Sequence, residues 1–281
     1  MKRILLILAA VFLLAGCGAE EAKNDAGEGK KKETPTEQLD EKETDDGPNI
    51  EEGNDPVRDV PPEPMYRVNP VTSSIEPIGD AKKEVVLLTF DDAPDQYGVE
   101  IAKTLKELGV NAIFFVNGHF ITSDEGKAKL KEIYDMGFAI GNHTFNHPNL
   151  KKIPEEKQRE EIVKLNDLIE EVIGERPKFF RAPHGANTDF SKQLALEEGM
   201  VVMNWTYGFD YFPQYMDAEK LKEAMITGKG PEIGVNYSLL RPGANLLMHD
   251  REWTSAAIAD IVKGLQDQGY EIVDPHLIET P

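Results

Sequence analysis

The stretch Val85 to Pro94 reads VVLLTFDDAP, and it decides the fold. A run of apolar β-forming residues, Val85–Leu88, leads through Thr89 and Phe90 into two adjacent carboxylates and then a proline. This pattern predicts a buried strand with Asp91 and Asp92 at its carboxyl end. Neighbouring carboxylates repel each other unless a cation, a basic partner or a proton separates them, so the pair indicates a functional site. The alternative is a turn with solvated side chains beside the proline.

Short β-rich runs alternate with amphipathic helical stretches along the rest of the chain. Strands are predicted at Val85–Phe90, Ala112–Val116, Phe138–Asn142, Lys178–Arg181, Val201–Trp205, Asn245–His249 and Glu271–Val273. Helices are predicted near Val99–Leu108, Glu125–Met136, Pro154–Ile173, Phe190–Glu198, Ala218–Thr227 and Thr254–Gln268. This alternation is typical of the α/β class, and it predicts a distorted (β/α) barrel with about seven parallel strands. An open doubly wound sheet is the alternative, although no G-x-G-x-x-G motif follows the first strand.

Two histidines follow the strand predicted at Phe138–Asn142. His143 and His147 lie four residues apart in the segment HTFNHP, so one helical turn would bring both imidazoles to the same side. Two histidines and one aspartate can form a three-ligand zinc site with an open position. The alternative is one histidine that caps a turn and one that lies on the surface. The H-E-x-x-H metalloprotease motif is excluded because no Glu follows His143.

Three further segments stand at the ends of apolar runs: RAPHG from Arg181, the pair Asp210-Tyr211, and LLMHD ending at Asp250. Together with TFDDAP and HTFNHP, they resemble the five motifs of the polysaccharide deacetylase family, the NodB-like carbohydrate esterases of family 4. The resemblance runs in the right order over residues 84–275, which makes it more specific than any single motif. It implies a metal-dependent enzyme that removes acetyl groups from sugars such as N-acetylglucosamine.

The resemblance also implies a role for each residue of the set. Asp92, His143 and His147 would be the ligands of a divalent cation, with Zn²⁺ expected and Co²⁺ or Ni²⁺ as alternatives. The cation would activate the water that attacks the acetyl carbonyl. The remaining implied roles are those of the general base Asp91, its partner Arg181, the general acid His249 with its partner Asp210, and the substrate-pocket residues His184, Tyr211 and Leu247.

Some positions depart from the family pattern. Ala93 stands where Gly is usual, His184 where Tyr is usual, and Tyr211 where Trp is frequent. Gly208 stands at the first of two acidic positions that are often seen. None of these changes removes a catalytic group, but the pocket changes leave the preference for the acyl group open.

The first part of the chain has a different character from the rest. Lys2-Arg3, the apolar run Ile4–Leu14 and the small residues before Cys17 are typical of a bacterial lipoprotein signal, so residues 1–17 are expected to be a signal peptide with a lipidated Cys17. Residues 18–64 are rich in charged residues and poor in large apolar ones, which predicts a disordered acidic linker. A short β extension is expected over residues 65–80, with a hairpin of Tyr66–Val68 and Ser74–Glu76, and the catalytic domain over residues 81–281.

Composition excludes some classes of function. The net charge of −20 argues against nucleic acid as a partner, because phosphate binding needs clustered lysines and arginines. A single cysteine excludes a disulfide framework. The sequence therefore predicts an extracytoplasmic, membrane-anchored deacetylase of an acetylated cell-envelope glycan, with the N-acetylglucosamine of peptidoglycan as the expected substrate. The alternatives are an O-acetyl esterase of a xylan-like polysaccharide and a noncatalytic glycan-binding lipoprotein.

Overall fold

The computed structural model describes residues 63–281. The predicted signal peptide with Cys17 and the predicted linker up to residue 62 lie outside the described residues. The strands of the described part are β1 (Tyr66–Val68), β2 (Ile75–Pro77), β3 (Val85–Ala93), β4 (Ile113–Val116), β5 (Ala139–Asn142), β6 (Phe179–Phe180), β7 (Val201–Val202), β8 (Ala244–His249) and β9 (Glu271–Ile272). The helices are α1 (Gly98–Glu107), α2 (Asp124–Asp135), α3 (Glu155–Ile173), α4 (Asp189–Glu197), α5 (Ala218–Thr227) and α6 (Glu252–Asp267).

Seven of these strands form one parallel sheet. The strand order is β7-β6-β5-β4-β3-β8, and β9 pairs with the first residues of β3. A parallel bridge between Tyr207 and Leu246 joins the segment after β7 to β8. The sheet therefore curls into a barrel whose last seam is held by a few bonds only, among them the Leu247 amide donating to the Tyr207 carbonyl at 2.9 Å. The predicted distorted barrel with seven parallel strands is confirmed.

The side chains of β3 alternate between two cores. Leu88 and Phe90 belong to the core between the sheet and the helices, and the Phe90 ring stacks on Phe114 with ring centroids 5.0 Å apart. Val85 and Leu87 belong to a second core inside the barrel. Because successive side chains of a strand point to opposite faces, Thr89 and Asp91 continue the inward-facing side.

The helices begin and end where local hydrogen bonds favour it. The Ser123 hydroxyl accepts a hydrogen bond from the Gly126 amide at the start of α2, and Thr188 and Ser191 form a reciprocal capping box at the start of α4. α3 ends at Gly174, whose φ of 85° is a left-handed conformation that suits glycine. All six predicted helices are present, with ends that differ by a residue or two.

The β1–β2 hairpin packs against the end of the barrel where the strands begin. The Ile75 amide donates to the Gly243 carbonyl at 2.7 Å, just before β8. Gly243 has a φ of 79°, and a Cβ built there would lie 2.1 Å from the Ile75 carbonyl oxygen, so this close approach requires glycine. Tyr66 and Ile75 join the inner core beside Val85. The hairpin predicted from the sequence is therefore present, and it covers one end of the barrel.

Within residues 63–281, none of the helices combines the length and the apolar character that crossing a bilayer would require.

Candidate functional site

A cavity of about 480 Å³ opens at the carboxyl ends of the barrel strands. Its lining includes nine residues of the predicted set: Asp91, Asp92, His143, His147, His184, Asp210, Tyr211, Leu247 and His249. Arg181 is fully buried and contacts Asp91 from within the barrel. In barrels of this kind, side chains from different strand ends meet at this rim. The structure therefore brings all ten predicted site residues of the described part together.

The two adjacent aspartates reach the cavity because β3 is irregular at its end. β3 runs on to Ala93 instead of ending at Phe90, and its pairing register with β4 shifts between these two residues. Asp92 has a φ of 61°, outside the normal strand region. Side chains of adjacent residues in a regular strand point to opposite faces, whereas a bulge re-aims one of them. Asp91 and Asp92 consequently line the same cavity.

Asp92, His143 and His147 form a candidate metal-binding group. One potential ligand atom from each residue lies within 4.8 Å of the others. Asp92 Oδ1 is 4.0 Å from His143 Nε2 and 3.6 Å from His147 Nε2. The His143 Nδ1 lies 2.7 Å from the Arg181 carbonyl oxygen and must carry its proton to donate there, so the lone pair of Nε2 is free for a cation. The donor set therefore fits a divalent cation such as Zn²⁺.

The pKa values of this group also favour metal binding. Burial lowers the pKa of His143, and burial together with the nearby His143 lowers the pKa of His147 to about 4. Burial alone would raise the pKa of Asp92, but the surrounding imidazoles and the Arg251 guanidinium bring it below its ordinary value. Because the two candidate ligand histidines are neutral at neutral pH, the positive charges that act on Asp92 there are those of His249 and Arg251. The group thus offers two neutral imidazoles and one carboxylate.

The expectation that a helical turn brings His143 and His147 together was wrong. Residues 143–147 form a loop, in which Thr144 has a φ of 68° and His147 a φ of 56°. The Asn142 side chain holds the start of this loop by accepting a hydrogen bond from the Thr144 amide at 2.8 Å. Two left-handed residues fold the loop back on itself, so the imidazoles meet with ring centroids 4.9 Å apart.

Asp91 is held by a buried arginine. Arg181 Nη1 donates to Asp91 Oδ1 at 2.7 Å and to the Thr89 hydroxyl at 2.8 Å. The guanidinium lies over the Phe115 ring, with 4.2 Å between Cζ and the ring centroid. The second oxygen, Asp91 Oδ2, lies 3.5 Å from His143 Nε2. Asp91 therefore has one oxygen committed to Arg181 and one directed at the candidate metal site.

His249 forms a second acid–base pair with Asp210. The His249 Nδ1 lies 2.8 Å from Asp210 Oδ1, while Asp210 Oδ2 accepts hydrogen bonds from the His249 amide and the Thr254 hydroxyl. Asp210 is fully buried. Burial alone would lower the pKa of His249, but the Asp210 carboxylate, helped by Asp91 and Asp92, raises it to about 9. The imidazole is therefore protonated at neutral pH, and Nε2 carries a proton that it can donate.

The predicted pocket residues differ in their exposure. Leu247 is buried, whereas Tyr211 is 41% exposed and His184 is exposed. The His184 ring lies 4.8 Å from the His147 ring, and the Tyr211 ring lies 5.7 Å from the His249 ring. His184 and Tyr211 therefore form part of the cavity rim, one beside each half of the site.

A close backbone contact explains why residue 208 is a glycine. A Cβ built on Gly208 would lie 2.3 Å from the Leu247 carbonyl oxygen, at the seam between the segment after β7 and β8. Any side chain at this position would push the seam apart. An acidic residue therefore does not fit the backbone arrangement found here.

Sequence reasoning missed several residues that hold the site. Arg251 Nη2 donates to Asp92 Oδ2 at 2.6 Å. The buried Asp250 accepts hydrogen bonds from the amides of Asp95 and Tyr97 and so fixes the loop after β3. Asp250 and Arg251 directly follow His249 in the sequence, and this adjacency could have pointed to them as site residues. Met216, Trp205 and Trp253 also line the cavity without having been predicted.

The comparison with known families agrees with these motifs. A family model described as polysaccharide deacetylase matches residues 78–203. The chain belongs to the polysaccharide deacetylase family. The matched range contains the two aspartates of β3, both histidines of the loop and Arg181, whereas Asp210 and His249 lie beyond it.

Individual members of the family were also found. A peptidoglycan-N-acetylglucosamine deacetylase of Bacillus cereus is 35% identical over 129 residues, which cover 46% of this chain and 46% of that protein. The peptidoglycan-N-acetylmuramic acid deacetylase PdaC of Bacillus subtilis is 30% identical over 202 residues, which cover 71% of this chain and 40% of that protein. The chain thus spans less than half the length of these two relatives.

A solved structure of a family 4 carbohydrate esterase pseudoenzyme from Bacillus anthracis has the same fold. It superposes with a TM-score of 0.61 at 26% identity, over 77% of this chain and 69% of that one. The fold is thus found in proteins with and without activity, and the side chains of the site must carry any functional argument.

Proposed function

We propose that this protein is a metal-dependent deacetylase that hydrolyses the N-acetyl groups of a cell-envelope glycan, with the N-acetylglucosamine of peptidoglycan as its substrate. One observation carries the proposal: a carboxylate base and a protonated imidazole, each with its own buried partner, line the same cavity as a three-residue cation site. The activities named for the relatives in Bacillus cereus and Bacillus subtilis support the choice of peptidoglycan.

Asp92, His143 and His147 would hold the cation. When bound, a divalent cation polarises a carbonyl group and lowers the pKa of a nearby water. Zn²⁺ suits the two imidazoles and one carboxylate, and Co²⁺ or Ni²⁺ could replace it. Arg251 keeps Asp92 Oδ2 engaged, which leaves Oδ1, the oxygen near both histidines, for the cation.

Asp91 is proposed as the general base. Its Oδ2 is free of Arg181 and would accept the proton of the attacking water, while the oxygen of that water forms a bond to the acetyl carbon. Arg181 fixes the rotamer of Asp91 through Oδ1. The backbone amide of His184 is proposed to donate to the developing oxyanion, and Leu247 and Tyr211 to enclose the methyl group.

His249 is proposed as the general acid. The carbon–nitrogen bond of the acetamide breaks as His249 Nε2 gives its proton to the departing sugar nitrogen, so that the products are acetate and an amino sugar. Asp210 accepts a hydrogen bond from Nδ1 and thereby keeps the imidazole charged until that step. Trp253 supports this geometry because its indole donates to the Asp210 carbonyl at 2.9 Å.

This assignment predicts how pH affects a variant of Asp210. The Asp210 carboxylate is the main favourable contribution to the pKa of about 9 at His249, so Asp210→Asn should lower this pKa. The acid must be protonated to act, and activity is therefore lost as the pH rises through its pKa. We expect the alkaline limb of the kcat/KM profile to move about 1–3 units toward lower pH. An alkaline limb that stays in place would contradict the pairing.

Two alternatives share the scaffold. The same residues could hydrolyse an O-acetyl ester, because the attack on the carbonyl is alike in both reactions. A noncatalytic role is favoured by the structural likeness to a pseudoenzyme, but here the base, the acid, their partners and the three cation ligands are all present. The acyl group and the sugar therefore have to be tested directly.

A panel of acetylated glycans tests the proposal. Zn²⁺-loaded protein should release acetate from peptidoglycan and from chitin oligomers, and the product masses should identify which sugar has lost an acetyl group. Acetylxylan should be a poor substrate. Release from acetylxylan alone would favour the esterase, and no release from any member of the panel would refute the deacetylase proposal.

We further propose that the enzyme acts outside the cytoplasm and is held at the membrane by a lipid on Cys17. A peptidoglycan substrate requires this location. In cells, Cys17→Ser should move the protein from the membrane fraction to a soluble one, because the thiol is the only one in the chain. A Cys17→Ser protein that stays with the membrane would contradict the lipid anchor.

A further inference from the structure

The turn of the β1–β2 hairpin enters the barrel beneath the site. Ser73 lies at this turn, yet it is only 6% exposed. Its φ of 59° is a left-handed conformation that non-glycine residues seldom adopt. The two neighbouring turn residues, Val71 and Thr72, are both exposed. A buried serine in a rare conformation at the tip of a hairpin indicates that its contacts stabilise the conformation.

Ser73 makes two hydrogen bonds to the barrel. Its hydroxyl accepts from the Asn204 amide at 2.9 Å, and its carbonyl accepts from Asn245 Nδ2 at 3.1 Å. Asn204 follows β7, whereas Asn245 lies in β8. The hairpin turn thus ties together the two elements on either side of the barrel seam.

The same asparagines hold the arginine of the proposed base. The Asn204 carbonyl accepts from Arg181 Nη2 at 2.8 Å and from Asn245 Nδ2 at 3.1 Å. Asn245 Oδ1 lies 3.4 Å from Arg181 Nη2. The other end of the guanidinium, Nη1, donates to Asp91 Oδ1. Hydrogen bonds therefore run without interruption from Ser73 through the two asparagines and Arg181 to Asp91.

We propose that Ser73 and Asn245 are positioning residues for the Asp91–Arg181 pair, so that the hairpin is a working part of the active site. This inference rests on the proposed function. Ser73 lies before residue 78, where the match to the family model begins.

The physical reason is the burial of Arg181. A fully buried guanidinium cannot exchange its partners for water, so its position follows the acceptors around it. Asp91 fixes one end, and the acceptors tied to Ser73 fix the other. Loss of the second set would let the guanidinium rotate or shift, and the carboxylate bonded to it would move as well. Misplacement of a catalytic group by about 1 Å can cost about a hundredfold in rate.

Three single variants of the full chain and the double variant Ser73→Ala/Asn245→Ala test this proposal. Ser73→Ala removes the hydroxyl and keeps the Cβ, and Asn245→Ala removes the side chain that donates to the Ser73 carbonyl and lies beside Arg181 Nη2. Ser74→Ala is the matched control, because the Ser74 hydroxyl forms a hydrogen bond with that of Thr72 at the exposed side of the turn. For each protein, kcat, KM, Zn²⁺ affinity and the thermal midpoint are measured.

We expect kcat to fall about three- to tenfold in Ser73→Ala, as for the loss of one neutral hydrogen bond, and about 10–100-fold in Asn245→Ala. KM and the Zn²⁺ affinity should stay within about twofold of the wild type, because neither residue contacts the cavity or the cation ligands. Ser74→Ala should match the wild type. The double variant should lose less than the product of the two single effects, since both residues act on the same arginine.

The proposal is overturned if both variants keep the wild-type kcat, or if their effects multiply in the double variant. It is also overturned if kcat falls only in step with the Zn²⁺ affinity or the thermal midpoint, because that result describes a general structural role. These outcomes need an active wild type. An inactive wild type refutes the proposed function instead, so the two failures can be told apart.

Discussion

Asp91→Asn is expected to lower kcat by about 10²–10⁴-fold and to leave the Zn²⁺ affinity nearly unchanged. The amide oxygen of asparagine can still accept a hydrogen bond from Arg181 Nη1, so the side chain should keep its place. It cannot take a proton from water at neutral pH. A loss in kcat with the cation site intact is the pattern that separates a base from a ligand.

Asp95→Asn provides the matched control for this experiment. Asp95 lies in the loop that follows β3, and its backbone amide, not its carboxylate, is held by Asp250. The control should therefore keep full activity. If Asp91→Asn turned over substrate at the rate of Asp95→Asn, the role of the base would belong to another group.

His143→Ala is expected to abolish both cation binding and turnover. Loss of an outer partner of a metal ligand costs about 10–100-fold in metal affinity, and loss of the ligand itself should cost more. His143 is also buried, so the alanine leaves a cavity and should lower stability. Binding of Zn²⁺ can be followed by calorimetry or by competition with a chromogenic chelator.

A second ligand variant separates the loss of cation binding from the loss of stability. His147 is more exposed than His143, so His147→Ala should weaken Zn²⁺ binding with a smaller effect on the thermal midpoint. His276→Ala serves as the control for a histidine outside the site, since His276 pairs with Asp274 after β9. Wild-type Zn²⁺ affinity in both His143→Ala and His147→Ala would contradict the assigned ligand set.

Most of the fold could be predicted because the sequence signals for strands and helices are local. Each buried strand is a short apolar run and each helix has an apolar stripe, so all seven parallel strands and six helices were predicted. The ends of β3 and β7 were less predictable. β3 is lengthened by a bulge, and β7 stops at Val202 because the following segment leaves β6 to pair with β8. Both effects depend on neighbours far away along the chain.

The residues of the site were predictable for a related reason. Polar side chains at the ends of parallel strands converge, and the order of the five motifs identifies the family. The loop at His143 was not predictable in form, because its left-handed residues are Thr144 and His147 and not glycines. Nor was the pairing of Arg251 with Asp92, since it joins residues 159 positions apart.

The burial of the hairpin turn and its link to Arg181 could not be predicted from the sequence. Ser73 belongs to a turn of polar residues and resembles an ordinary surface serine. Its burial follows from the close approach of Ile75 to Gly243, which carries the turn into the barrel. Its link to Arg181 runs through two asparagines, one after β7 and one in β8, and nothing local in the sequence marks these as partners.

The most direct test of the central claim is acetate release from peptidoglycan by one preparation in three states: stripped of metal, reloaded with one equivalent of Zn²⁺, and stripped again with a chelator. The account predicts turnover only in the reloaded state, and loss of that turnover in Asp91→Asn loaded to the same level. Equal acetate release in all three states would contradict a cation held by Asp92, His143 and His147.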